Sequence, residues 1–125
     1  MIKKNFNDLA LLILRVGFGG LMLTHGIPKL SKLGDSPIEF PDPIGVGATL
    51  SLILVLIGEV LGPALIIIGF KTKLAAIPAT ITMLVAAFVV HLNDDIATKE
   101  KALLYLIAFL VIFLAGPGKF SLDKK

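Results

Sequence analysis

The sequence has no cysteine, one tyrosine and a single arginine, Arg15. Without cysteine there are no disulfides and no thiolate metal sites, and the redox compartment cannot be read. No stripe of arginines interleaved with aromatics is present, so the pI near 9.3 does not point to nucleic acid. The lysines sit instead at the ends of apolar blocks, as in membrane proteins. No internal repeat, nucleotide-binding loop, nucleophile elbow or strong metal motif appears, so standalone catalysis has little support and no metal site is assigned from a motif. The apolar/polar alternation of a soluble domain is also missing. The mean hydropathy is +0.94, and the apolar residues come in blocks.

Four such blocks predict an all-α, integral membrane four-helix bundle forming one domain over residues 1–125. The expected spans are about 9–27, 46–70, 74–92 and 102–115, with Asn7 or Asp8 capping the first helix. The first block is not followed by a small-x-small cleavage site, so it reads as a retained span rather than a signal peptide. The fourth block, "ALLYLIAFLVIFLA", is short, rising only ~21 Å for ~14 residues. Lys99 and Lys101 can snorkel at one of its ends, and the "GPG" at 116–118 stops it at the other. The tight "FKTK" turn makes spans two and three antiparallel neighbours. The segment "SKLGDSPIEFPDPIGVG" carries three prolines, so loop 28–45 is expected outside the membrane, as a cap over the bundle.

Lys3, Lys4, Lys71, Lys73, Lys119, Lys124 and Lys125 fall on one side of this arrangement. The acidic residues Asp35, Glu39, Asp42, Asp94, Asp95 and Glu100 fall on the other. The lysine-rich side is expected to be cytoplasmic, with both termini on it, in the inner membrane.

Arg15 and Glu59 are the two charges inside the apolar blocks. Each costs at least ~2.5–3.5 kcal/mol unpaired on insertion scales. Counted from the cytoplasmic ends they lie ~9 Å and ~16 Å deep, within reach of an arginine side chain. An Arg15–Glu59 pair between spans one and two is therefore expected. It acts as a static pin, or else as a relay or anion site. Arg15, Gly19, Met22, Gly26 and Lys29 recur at helical spacing as one stripe. Gly19 and Gly26 on that stripe, with Gly58 and Gly62 around Glu59, are expected to let the helices approach closely.

At the other end, His25 and His91 come to ~24 Å and ~26 Å from the cytoplasmic side, nearly level. Tyr105 lies one turn into the fourth span from that end, and Lys29 one turn beyond His25. A ligand-binding cluster of His25, Lys29, His91 and Tyr105 is expected there. A quinone head group fits its donors. Haem or metal ligation by the two histidines is a second reading. Ordinary interfacial residues without a ligand are a third.

The stretches "LRVGFGGLMLTHGIPKL", "GEVLGPALIIIGFKTKLAA", "HLNDD…EKALLYL" and "GPGKFSLD" together resemble the DoxX family of small bacterial four-helix membrane proteins, DoxD-like members included. The resemblance covers almost the whole chain. It implies a four-helix bundle linked to quinone or thiol redox metabolism. The absence of cysteine argues against thiol chemistry by the chain itself. The expectation is a small inner-membrane accessory subunit of a redox system, whether or not it is catalytic in itself, that binds a quinone or similar small head group at the outer end of the bundle. The alternative is a structural or assembly subunit. The expected partners are the lipid bilayer, a quinone, a redox partner subunit and further copies of the chain. A transporter ranks last, because the polar residues form no line through the bilayer.

Overall fold

The computed structural model describes residues 2–123, with side chains from Phe6 onward. Lys124 and Lys125, and the side chains of Lys3 and Lys4, which entered the charge balance, lie outside the described residues. Among the described residues every regular element is helical. This follows from the composition, because apolar blocks in hydrocarbon must satisfy each backbone group within the segment.

Helix α1 (Ile2–Gly26) begins well before Asn7 and Asp8, so neither caps it. Asp8 instead accepts a hydrogen bond from the Lys119 N–H at 3.2 Å. Beyond Gly26 the chain tightens into a 3₁₀ segment, Ile27–Gly34, with Pro28 in its first turn. Proline has no N–H to offer the preceding turn, so the α-helix cannot run on unchanged.

Helix α2 (Ala48–Leu56), a π-helical turn (Ile57–Leu61) and helix α3 (Gly62–Ile68) form one continuous rod. In the π turn the Gly62 N–H donates to the Ile57 carbonyl. Pro63 at the start of α3 cannot donate back to the Glu59 carbonyl. Helix α4 (Thr72–Val85) contains Pro78 and ends in a second π turn, Ala86–Val90. Helix α5 (Ile96–Ala115) starts a turn and a half before the expected span. The Asp95 carboxylate caps it by accepting the Thr98 N–H at 3.0 Å. The Lys99, Glu100 and Lys101 trio is therefore helical rather than loop.

Three helices, Phe6–Gly34, Ala48–Ile68 and Thr72–Val90, are long and apolar enough to cross a membrane. The α5 helix has 20 residues, but its first turns carry the charged trio. The outward faces are studded with large apolar side chains such as Ile13, Leu74 and Leu114, each more than 60% exposed. A water-facing surface of that kind would aggregate, whereas a bilayer covers it.

The interior is small and tight. Met22, Ile66, Ala76, Ala79, Phe109 and Ile112 are sealed between the four rods. The rods touch where side chains are absent. A Cβ on Gly26 would run into the Glu59 carbonyl that Pro63 leaves free, and one on Gly58 into Thr82. Gly19 and Gly62 are nearly as close, to Ile67 and to the Ala75 carbonyl.

Candidate functional site

The expected Arg15–Glu59 pair does not form. Arg15 is fully buried and donates through one guanidinium nitrogen to the carbonyls of Ile66 and Ile67, both at 3.2 Å. Its other terminal nitrogen reaches the Phe120 carbonyl. The physical reason lies at the end of α3. The Phe70 N–H donates to the Leu65 carbonyl and the Gly69 N–H to the Ile66 carbonyl, around a left-handed Gly69 with φ 71°. That crossed pair closes the helix but leaves its last carbonyls short of donors. A buried cation from α1 supplies them, where the helix dipole favours positive charge.

Segment 116–123 completes this end. The Leu122 and Asp123 N–H groups donate to the Ile68 and Gly69 carbonyls at 3.2 and 2.8 Å. The Asp123 carboxylate caps α4 by accepting from the Lys71 and Thr72 N–H groups and the Thr72 hydroxyl, all within 2.9 Å.

Glu59 has a different cation. Its carboxylate meets the Lys29 ammonium at 2.7 Å, with the Glu59 side chain 8% exposed and the Lys29 side chain 32%. Glu59 is equally far along the chain from Ala48 and from Phe70, so depth counted from one end could not choose between Arg15 and Lys29. Gly26 packs against the Glu59 carbonyl, and Lys29, one turn further on, is thereby within reach of its carboxylate.

Around this ion pair lie two chambers. The smaller, of about 180 Å³, gathers His25, Lys29, His91 and Tyr105 into one wall system, together with Glu59 and Lys101. Lys101 was missed by sequence reasoning, although it stands one helical turn from Tyr105 and so shares its face. Tyr105 is buried between rings: it meets Phe18 and His25 edge-on at 5.8 Å and stacks on Phe109 at 6.0 Å. The two histidines do not act as a pair. His25 packs on Tyr105, while His91 Nδ1 lies 2.7 Å from the Asp94 carboxylate. Among the described residues no group of three metal-ligating side chains converges.

The larger chamber, of about 390 Å³, runs between α2 and α4 and is mostly apolar, with Leu54, Ile81 and Val85 in its walls. Phe40, Pro41, Pro43 and Ile44 roof it, so the proline-rich segment does lie over the bundle. Asp42 fastens that roof. Its carboxylate accepts from the Val46 and Gly47 N–H groups at 2.8 Å and from the Ser51 hydroxyl at 2.9 Å. The Gly47 and Ser51 hydrogen bonds hold the Asp42 carboxyl below the usual carboxylate range.

Residues 10–92 match the DoxX family. A Haemophilus influenzae protein described as uncharacterized is 32% identical over 133 aligned positions, covering 98% of this chain and 94% of its own. A second protein of that organism, described in the same way, is 26% identical and covers 94% of this chain and 83% of its own. The Escherichia coli inner membrane protein YqjF is 27% identical, covering 97% of this chain and 95% of its own. No solved structure matches. The chain belongs to the DoxX family and is a multi-pass membrane protein.

Proposed function

We propose that this DoxX protein crosses the inner membrane four times, with both termini cytoplasmic, as an accessory subunit of a membrane redox system that binds a quinone or similar head group at the Lys29 end. The inner membrane is supported by the relative YqjF, described as an inner membrane protein. The orientation is supported by Lys71, Lys73 and Lys119, exposed around the Arg15 end, against the acidic residues that crowd the other.

One observation carries the head-group reading. The donor-bearing side chains His25, Lys29, Lys101 and Tyr105 line the smaller chamber together, beside the apolar Met22 and Met83. A quinone offers two carbonyl acceptors on a flat ring. Its carbonyls suit those donors, and the ring suits the aromatic packing around Tyr105. The remaining carboxylate, Glu59, is already engaged by Lys29 and so does not repel a carbonyl. With no cysteine in the chain, thiol chemistry in such a system belongs to another component.

Mass spectrometry of gently extracted protein is expected to find a bound quinone, and titration of stripped protein is expected to restore it. Replacing Tyr105 by Phe and His25 by Ala together should weaken binding by about tenfold, as loss of two hydrogen bonds to a ligand does. Wild-type protein that carries no quinone and binds none on titration would end the proposal.

A further inference from the structure

The two π turns, Ile57–Leu61 and Ala86–Val90, both contribute residues to the lining of the larger chamber. The first contains Glu59. The second starts at Ala86 and runs up to His91, whose N–H donates to the Ala86 carbonyl at 3.0 Å. Such turns are rare and concentrate at functional sites. Lys29, Glu59, Ala86 and His91 are the residues that line both chambers, so they form the partition between them.

Three members of the partition are polar and tethered. Lys29 and Glu59 hold each other at 2.7 Å, and His91 is held by Asp94 at the same distance. Ala86 contributes a methyl group and nothing more. Ala86 is therefore the smallest and the only uncharged, untethered side chain of the four that the chambers share.

The contents of the chambers differ as a head differs from a tail. The smaller is rich in hydrogen-bond donors but falls below the ~300–1,000 Å³ usual for ligand sites. The larger has room, but its walls are chiefly aliphatic and its roof is prolines and Phe40. Neither alone suits an amphiphile, whereas both together do.

We infer that the two chambers are one bent site for a single-tailed amphiphile, whose polar ring sits in the smaller chamber while its tail passes over Ala86 into the larger, so that Ala86 sets which tails are accepted. This rests on the head-group reading above and adds to it the tail, its route and the residue that limits it. The roof fastened by Asp42 then covers the tail rather than the ring.

The test uses the full chain in nanodiscs and two probes, a decyl-tailed benzoquinone and the same ring without the tail. Comparing the ratio of the two affinities between variants cancels partitioning into lipid. Wild-type protein is expected to prefer the tailed probe by at least about tenfold after that correction. Ala86→Leu should lose the preference for the tail, its effect on the tailed probe exceeding its effect on the ring by about tenfold. Ala86→Val, a smaller insertion, is carried alongside in case the leucine variant does not fold, and should cut the preference at least about threefold. An unchanged preference in either folded variant overturns the bent site and leaves the head-group reading standing. Loss of the ring with retention of the tail preference overturns it too. Wild-type protein that binds neither probe removes both.

Discussion

At one end of the bundle Arg15 is sealed from solvent and directs its donors to main-chain carbonyls of Ile66, Ile67 and Phe120. At the other, Glu59 meets a lysine that stays a third exposed, on a wall between two chambers. Both are charged side chain types in apolar helices, yet they are held differently: Arg15 by main-chain carbonyls, with Asp123 as a charge partner, and Glu59 by a lysine side chain. A charge held by backbone cannot be re-partnered without opening the helix end it caps. A charge held by a side chain, next to open space, can share its partner with a ligand. Placement in an apolar helix therefore does not by itself mark a functional charge; the kind of partner does.

The comparison predicts unequal damage. Arg15→Leu should cost the most, at least about 3 kcal/mol in reversible unfolding in detergent, because several buried carbonyls lose a charged donor together. Arg15→Lys should recover only part of it, since an ammonium cannot reach two carbonyl groups with a planar fork. A loss below about 1 kcal/mol for Arg15→Leu would show that the helix end does not depend on it.

Next come the contact glycines. Gly58→Ala and Gly26→Ala should each destabilise by about 1–3 kcal/mol, because the added methyl meets Thr82 or the Glu59 carbonyl. Gly20→Ala, with open space around it, should be neutral or slightly stabilising. Equal melting shifts at Gly20 and Gly58 would contradict the close crossing.

Double-mutant cycles then separate the two charges directly. Lys29→Met with Glu59→Gln should show a coupling of about 1 kcal/mol, modest because Lys29 is partly solvated. Arg15→Leu with Glu59→Gln should be additive within about 0.5 kcal/mol. The reverse pattern would restore the pairing that depth alone suggests.

The smallest effect is on the roof. The Asp42 carboxyl is held below its ordinary range, so its contribution is complete above the ordinary carboxylate value near ~4 and fades as pH falls through the lower folded value. Hydrogen exchange at the Gly47 amide, corrected for its intrinsic pH dependence, should therefore speed up in acid. In Asp42→Asn it should be fast at every pH.

Hydropathy made the first three helices legible, because continuous apolar blocks have few other ways to exist in a membrane. It gave only the apolar part of α5, because the helix continues toward its N-terminus through Lys99, Glu100 and Lys101 to the Asp95 cap, where apolar pattern gives no signal. The residues His25, Lys29, His91 and Tyr105 could be chosen for one cluster because helical rise places them at similar depth, and the structure brings them to one chamber. The ion partners could not be chosen that way. Arg15 bonds to backbone, which leaves no trace in side-chain pattern, and the Lys29–Glu59 contact depends on where α1 crosses the π turn, at Gly26, which depth alone does not give. The π turns were equally hidden, because a one-residue widening of a helix barely alters apolar periodicity.

The clasp of segment 116–123 has a consequence for the order of assembly. Phe120 and Asp123 follow all four rods in the chain, yet they complete the surroundings of Arg15 and cap α4. During synthesis α1 enters the bilayer with its arginine only partly satisfied, and it stays so until α5 and the residues after it have been made. The Arg15 end is thus the last part of the molecule to lock, and a chain interrupted after Ala115 holds four helices without the contacts that fasten them.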